Sequence, residues 1–200
     1  MEALEALNRS LFLAINATPA TPSWLIDTAL VIANDLIWLV PLALVLMWLS
    51  GDARQRAVAI RACAVTLLAL GANQLIGLAW PHPRPFVMGL GHTFFAHAPD
   101  PSFPSDHGTV FSAFVLTLLL GGMVRTGLAA LVVGVVVAWA RIFLGVHLPL
   151  DMIGACVVSC ATCAVAAPLW NACGAALTRF AVALYRALLA GPIRLGWLRP

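Results

Sequence analysis

The stretch FPSDHGTVFSAF, residues 103–114, places an aspartate and a histidine where a long apolar run begins. Pro104 ends the preceding loop, and Ser105 or Asp106 can cap the helix that follows. The free N–H groups and the positive dipole end of that helix form a place for an anion. Capping accounts for the serine and the aspartate. It does not account for His107, because an imidazole at the mouth of an apolar helix needs water, a partner or a ligand.

The whole chain shares this apolar character. Of its 200 residues, 62% are hydrophobic and 10% are charged, and the mean hydropathy is +0.97. Soluble domains are about half apolar and about a quarter charged. We therefore expect an all-α integral membrane protein whose residues 1–200 form a single domain. The net charge of +3 arises without any lysine, and it does not indicate nucleic acid as a partner.

Five apolar runs predict membrane spans, because a bilayer core of about 30 Å needs about 20 apolar residues per helix. The runs are residues 22–49, 56–80, 107–122, 127–145 and 149–169. Asn34 and Asp35 interrupt the first run, which predicts a break or a tilt at that point.

The two ends of the chain are less regular. Residues 4–17 are too short to span a bilayer and predict an interfacial helix, and Glu2 argues against a cleaved signal with a basic start. Residues 172–190 carry Arg179 and Arg186, so they either lie along the surface or form a sixth span. The predicted architecture is a polytopic transmembrane helix bundle of five or six spans with an interfacial N-terminal helix.

The arginines predict the orientation of this bundle. With five spans, one side of the membrane receives Arg54, Arg56, Arg61, Arg125, Arg179, Arg186, Arg194 and Arg199. The positive-inside tendency makes that side cytoplasmic. The five histidines, at positions 82, 92, 97, 107 and 147, all fall on the opposite, outer side.

No metal site or disulfide framework is indicated. Cys160 and Cys163 form a CxxC pair inside an apolar run, where small residues at this spacing usually let helices approach closely. His92 and His97 lie in the loop GLGHTFFAHAPD, where we expect them to face water or headgroups.

Two further outer segments carry candidate site residues. In WPHPRPF, residues 80–86, prolines on both sides of Arg84 stiffen the backbone, and its guanidinium fork matches a phosphate, although an arginine here can also snorkel to headgroups. In ARIFLGVHLPLD, residues 140–151, Pro149 can open a helix, and Asp151 stands four residues after His147. The carboxylate can then hold one ring nitrogen and leave the other bare and nucleophilic.

Together the three segments resemble the type 2 phosphatidic acid phosphatase (PAP2) superfamily of membrane lipid phosphatases. Its motifs are a lysine separated by six residues from Arg-Pro, then Pro-Ser-Gly-His, then Ser-Arg, five residues, His, three residues and Asp. The matching residues are Arg84, Pro85, Pro104, Ser105, His107, Arg141, His147 and Asp151. The resemblance covers residues 73–151 in motif and most of the chain in span pattern.

Three positions depart from the family motifs. Gly77 stands where the lysine belongs, Asp106 replaces the glycine of the second motif, and Ala140 replaces the serine of the third. His82 is a candidate for supplying part of the missing charge. Asp106 would repel a phosphate dianion unless it is protonated, turned away or paired. Both are candidates for contact with substrate.

The resemblance implies a reaction. His147 attacks phosphorus and forms a phosphohistidine, Asp151 orients it, and His107 protonates the leaving oxygen and later assists water. Arg84, Arg141 and Ser105 bind the phosphate, and neither a metal nor another cofactor is implied.

The sequences HPRPF and PSDH are similar to the bacterial branch that acts on undecaprenyl diphosphate. The resemblance therefore implies that this lipid is hydrolysed to the monophosphate, with the enzyme in the bacterial inner membrane and its site facing the periplasm. Phosphatidylglycerophosphate, phosphatidic acid and lipid A are alternative substrates. A vanadium haloperoxidase and a non-catalytic lipid-binding or transport subunit are alternatives from other classes, although five apolar runs oppose the soluble haloperoxidases. The pattern does not indicate an oligomeric state.

Overall fold

The structure is a computed structural model that describes residues 2–199, and in this range it contains helices and no strand. The helices are α1 (Glu2–Ile15), α2 (Ser23–Asp35), α3 (Leu39–Ser50), α4 (Ala53–Ala79), α5 (Asp106–Leu120), α6 (Val124–Phe143), α7 (Pro149–Leu188) and α8 (Ala190–Arg194). Four stretches are long and apolar enough to cross a membrane, namely α2 with α3, α4, α6 and α7, and α5 is a shorter apolar helix. The expected all-α polytopic bundle is confirmed.

The first span contains the predicted break. A 3-10 turn, Leu36–Trp38, follows Asn34 and Asp35 directly and joins α2 to α3. At the far end of α3 the chain turns into α4. Asp52 caps the start of α4 by accepting a hydrogen bond from the backbone N–H of Gln55 at 2.8 Å.

Helix α5 lies at the centre of the bundle and packs against α4, α6 and α7. Its Phe111, Phe114 and Leu118 are buried in a core shared with α4 and α6. The first residue of α5, Asp106, bonds to Asn73, which lies six residues before the end of α4. At about 1.5 Å per residue, the start of α5 is therefore recessed by about 9 Å below the end of α4.

The last long helix, α7, reaches the opposite end of the bundle. Residues 172–190 continue α7 past Pro168 and do not form a separate span. Tyr185 contacts Trp48 edge to face, and the Arg56 guanidinium lies 4.9 Å from the Tyr185 ring centre. Trp48 and Arg56 flank the turn between α3 and α4, so this part of α7 stays at the end that carries most of the arginines.

Helix α1 lies across the other end. The Asn8 side chain accepts the N–H of Leu150 at 3.0 Å. Asn16 accepts the N–H of His92 at 2.7 Å and donates to the carbonyls of His92 and Phe143 at 2.9 and 3.0 Å. One asparagine therefore ties the α4–α5 loop to the turn between α6 and α7, the two segments that carry most of the motif residues.

Candidate active site

A cavity of about 330 Å³ opens where the α4–α5 loop meets the start of α5 and the end of α6. Its lining includes Arg84, His107, Arg141 and His147, together with Asp106. These residues come from all three sequence segments singled out above. Folding therefore brings the two imidazoles and the two guanidiniums of the motifs to one cavity.

His147 is held in a defined protonation state. Its ring is buried, Nδ1 lies 3.1 Å from Asp151 Oδ2, and Nε2 lies 3.2 Å from Nη1 of Arg84. Because a guanidinium only donates, Nε2 is the acceptor and the ring proton sits on Nδ1. Burial lowers the pKa of His147 well below its ordinary value, and the charges of Arg84 and Arg141 lower it further. The imidazole is therefore neutral at neutral pH and presents a bare nitrogen to the cavity.

The Asp151 carboxylate is fixed from three directions. It is fully buried, and Oδ2 accepts the N–H of Leu148 at 2.8 Å and a hydrogen bond from the hydroxyl of Ser102. The same hydroxyl lies 3.3 Å from Nδ1 of His147. No motif or spacing in the sequence indicated Ser102. It contacts His147 and Asp151 because the α4–α5 loop packs against the start of α7.

The turn that carries His147 depends on Gly145. This glycine has φ +83°, a conformation that other residues rarely adopt, and a Cβ there would collide with the carbonyl of His92. The N–H of Val146 donates to the carbonyl of Arg141 at 3.0 Å, so the turn also fixes His147 relative to Arg141.

Arg84 is buried and anchored by the protein itself. Its Nε donates to Asp100 at 2.9 Å, and its Nη atoms donate to the carbonyls of Val146 at 3.2 Å and Pro101 at 3.4 Å. Partial burial of Asp100 opposes its ionisation, but the hydrogen bond and charge of Arg84 outweigh this and hold the pKa of Asp100 below its usual value. Asp100 and Pro101 were not singled out from the sequence.

Arg141 differs from Arg84 because the described part of the chain gives it no such anchors. It is only 3% exposed, and its guanidinium lies 5.0 Å from the ring centre of Phe95. Its Nε is buried without a hydrogen-bond partner among residues 2–199. Buried donors in proteins are nearly always paired. An unpaired arginine donor on a cavity wall therefore indicates a binding position for an oxyanion.

The start of α5 has the predicted cap. Ser105 is fully buried, and its hydroxyl accepts the N–H of Gly108 at 3.3 Å, so it supports the helix from behind and is not part of the cavity wall. Asp106 is turned toward α4, where Asn73 donates to its Oδ1 at 2.8 Å and Gln74 approaches its Oδ2 at 3.5 Å. These two amides, which the sequence analysis missed, draw the carboxylate toward α4.

Gly77, which stands where the family motif has a lysine, lines the catalytic cavity. A Cβ on Gly77 would lie 3.4 Å from the Cβ of Pro101. His82, the candidate for the missing charge, is not part of the lining, and its ring packs edge to face on Trp80. His97 lines the cavity instead, with Nδ1 at 3.4 Å from Asp100.

His97 has a lowered pKa. Burial lowers its pKa, a hydrogen bond to the Ala98 carbonyl opposes this, and Arg84 and Arg141 lower the pKa further. Because a bound phosphate would oppose the effect of the two arginines, His97 can gain a proton when the anion enters.

Comparisons with known proteins show which family the chain resembles. The model of the PAP2 superfamily matches residues 58–175. The putative undecaprenyl-diphosphatase YbjG of Escherichia coli (strain K12) is 44% identical over 98% of this chain and 99% of its own. The undecaprenyl-diphosphatase BcrC of Bacillus subtilis (strain 168) is 33% identical over 76% of this chain and 79% of its own. The bacitracin transport permease protein BcrC of Bacillus licheniformis is 29% identical over 73% of this chain and 72% of its own. No solved structure matches the chain.

Proposed function

The chain belongs to the PAP2 superfamily, and from that membership and the cavity we propose that it hydrolyses undecaprenyl diphosphate to undecaprenyl phosphate and inorganic phosphate. One observation carries the proposal. A neutral His147, oriented by Asp151, presents its unprotonated Nε2 to a cavity walled by two buried arginines, and the Nε of Arg141 has no hydrogen-bond partner among residues 2–199. The names of two relatives supply the identity of the lipid.

In the first step the terminal phosphate of the substrate enters the cavity. Its oxygens take hydrogen bonds from Arg84 and Arg141, and this frees Nε2 of His147 from the Arg84 donor. Nε2 attacks the terminal phosphorus, and the bond from phosphorus to the bridging oxygen breaks. With the phosphate offsetting the charges of Arg84 and Arg141, His107 is protonated and gives its proton to that oxygen, so undecaprenyl phosphate leaves and a phosphohistidine remains. The arginines stabilise the charge on the transferring group.

In the second step water hydrolyses the phosphohistidine. His107, now neutral, accepts a proton from the attacking water, and the bond from phosphorus to nitrogen breaks. Inorganic phosphate leaves, and His147 returns to the neutral state. Asp151 stabilises the positive ring of the phosphorylated intermediate. Ser105 supports the helix start whose N–H groups face the anion.

We place the protein in the bacterial inner membrane with the cavity facing the periplasm. It is a multi-pass membrane protein, and most of its arginines lie at the end opposite the cavity. A cavity recessed by about 9 Å below the end of α4 suits a lipid phosphate better than a soluble ester. Residues 1–200 act as a single phosphatase domain with its motif core at 73–151.

Phosphate release from purified protein tests the proposed substrate. Undecaprenyl diphosphate should be preferred over phosphatidylglycerophosphate, phosphatidic acid and lipid A. Brief incubation with terminally labelled substrate should leave acid-labile phosphate on His147. His147→Ala and His107→Ala should lose turnover, and His92→Ala, whose ring is not part of the lining, should keep it. A clear preference for a monophosphate would overturn the choice of substrate.

The name of the Bacillus licheniformis relative favours a second candidate, a lipid-binding or transport subunit without turnover. In that case the wild-type protein would bind the diphosphate lipid and release no phosphate. The two histidine variants would then bind the lipid as the wild type does.

A further inference from the structure

A second cavity, of about 340 Å³, lies between α6 and α7, with α5 as its floor. Both α6 and α7 pack extensively on α5 but hardly touch each other, which leaves a cleft between them. We call this cleft the α6–α7 groove. Its lining is shared among the three helices and includes Phe111, Val115, Leu131, Val135 and Ile153.

The upper end of the groove is lined by residues that directly follow catalytic residues in the sequence. It is formed by Gly108, which follows His107, and by Met152, which follows Asp151. From there the groove extends along α5 to Leu116. At about 1.5 Å per residue this is a length of about 12 Å, directed from the active site toward the middle of the bundle.

The groove has the chemistry of a hydrocarbon site. Its wall is apolar, and the hydroxyl of Ser112 is hydrogen-bonded within the wall to the Cys156 thiol at 3.2 Å. Val135 and Ile153 are 59% and 57% exposed, although both are large and apolar. Such side chains in a membrane helix face hydrocarbon.

We propose that the α6–α7 groove holds the first isoprenoid units of the substrate tail. This inference rests on the proposed function, because the terminal phosphate must then lie at Nε2 of His147. The tail attached to that headgroup has to leave the active site toward the membrane, and the groove begins at Gly108, the residue after His107.

The groove contributes selectivity by packing. Bilayer chains are as apolar as the tail, so burial alone gives no preference, and van der Waals contact with the groove wall supplies it. Substrates with a long polyprenyl chain should therefore have a lower KM than short ones, and kcat should change little.

One other surface is an alternative exit for the tail, and a second surface serves as a control. Leu78 lines the catalytic cavity on its α4 side and is 82% exposed, so a tail could leave there. A separate apolar groove between α3 and α4, lined by Val45 and Cys63, is not adjacent to the active site and serves as a control.

One tryptophan substitution in each of the three surfaces tests which of them the lipid tail occupies. Ile153→Trp should lower kcat/KM for undecaprenyl diphosphate about tenfold through KM, which corresponds to about 1.4 kcal/mol. A short soluble prenyl diphosphate should be affected less than about twofold. Val45→Trp should affect neither. The proposal is wrong if Ile153→Trp lowers kcat/KM for the long and the short substrate by the same factor. It is also wrong if Leu78→Trp, and not Ile153→Trp, lowers kcat/KM for the long substrate more than for the short one.

Native cysteines provide a second readout that does not depend on turnover. Cys156 lies in the α6–α7 groove and Cys63 in the control groove, and both are exposed. Undecaprenyl phosphate should slow alkylation of Cys156 by an apolar maleimide and leave Cys63 unaffected, and phosphatidylglycerol should protect neither. Equal protection by both lipids would mean that the groove holds ordinary bilayer chains. If Cys156 is unprotected while the wild type still releases phosphate, this inference fails and the proposed function stands.

Discussion

Replacing Arg141 by glutamine should separate catalysis from stability. The Arg141 guanidinium is buried over Phe95, and its Nε has no partner among residues 2–199. The desolvation of this charge is therefore not offset by a protein acceptor. Removing it should leave stability unchanged or slightly higher. Arg84→Gln is the matched comparison, because Arg84 donates to Asp100 and to the carbonyls of Val146 and Pro101.

The expected magnitudes follow from these contacts. Loss of one preorganised donor to a transferring group costs about 2.7–4 kcal/mol, or roughly 10²–10³ in kcat. Both variants should lose at least this much activity. Arg84→Gln also leaves the Val146 carbonyl without its donor, at a cost of about 1–3 kcal/mol, which lowers Tm by several degrees. Because Asp100 is 55% exposed, its ion pair with Arg84 adds little to this cost.

Two assays on the same preparations test this prediction. Phosphate release from undecaprenyl diphosphate gives kcat, and thermal unfolding in detergent, followed by tryptophan fluorescence, gives Tm. Arg141→Gln should unfold within a degree or two of the wild type, and Arg84→Gln clearly below it. If Arg141→Gln lowers Tm as much as Arg84→Gln and keeps kcat within about tenfold, the reading of Arg141 as an oxyanion ligand is refuted.

Three further outcomes are expected. Ser102→Ala removes a hydrogen bond to the Asp151 carboxylate that is worth about 1.5–3 kcal/mol, so kcat should fall roughly 10- to 100-fold with KM unchanged. Steady-state kinetics would show an unchanged kcat if this hydrogen bond has no catalytic role. Burial, and then Arg84, lower the pKa of His147, so on the acid side kcat/KM should begin to fall only below about pH 6.5, and an acid-side fall that begins above that value would contradict the neutral nucleophile. Asp106→Asn removes a charge beside the anion, so inhibition by inorganic phosphate should tighten roughly fivefold, about 1 kcal/mol, and weaker inhibition would show that the carboxylate does not face the phosphate.

Some features of the protein follow from local sequence alone. The spans follow from apolar runs of about 20 residues, since the bilayer sets the length of a helix. The contact between His147 and Asp151 follows from their separation of four residues around a helix start, and Ser105 follows as a cap before α5. The break after Asp35 follows from polar residues inside an apolar run.

Contacts between distant segments were decided only by the tertiary structure. Asn73 meets Asp106 because α4 and α5 are neighbours, and Asn16 meets the His92 backbone because α1 crosses the loop. Ser102 likewise contacts Asp151 only because the α4–α5 loop packs against α7. A lone polar residue, whether inside an apolar helix as Asn73 is or in a loop as Ser102 is, carries no periodicity, so nothing in the sequence gives its partner.

The same reason explains why His97, and not His82, lines the cavity. Both stand in the α4–α5 loop, and their surroundings in the sequence do not distinguish them. What separates them is the fold of the loop, which is fixed by hydrogen bonds to Asn16, Leu144 and Val146. The sequence by itself determined which chemical groups are available and on which side of the membrane we expect them. The packing of the helices determined which of those groups share one cavity.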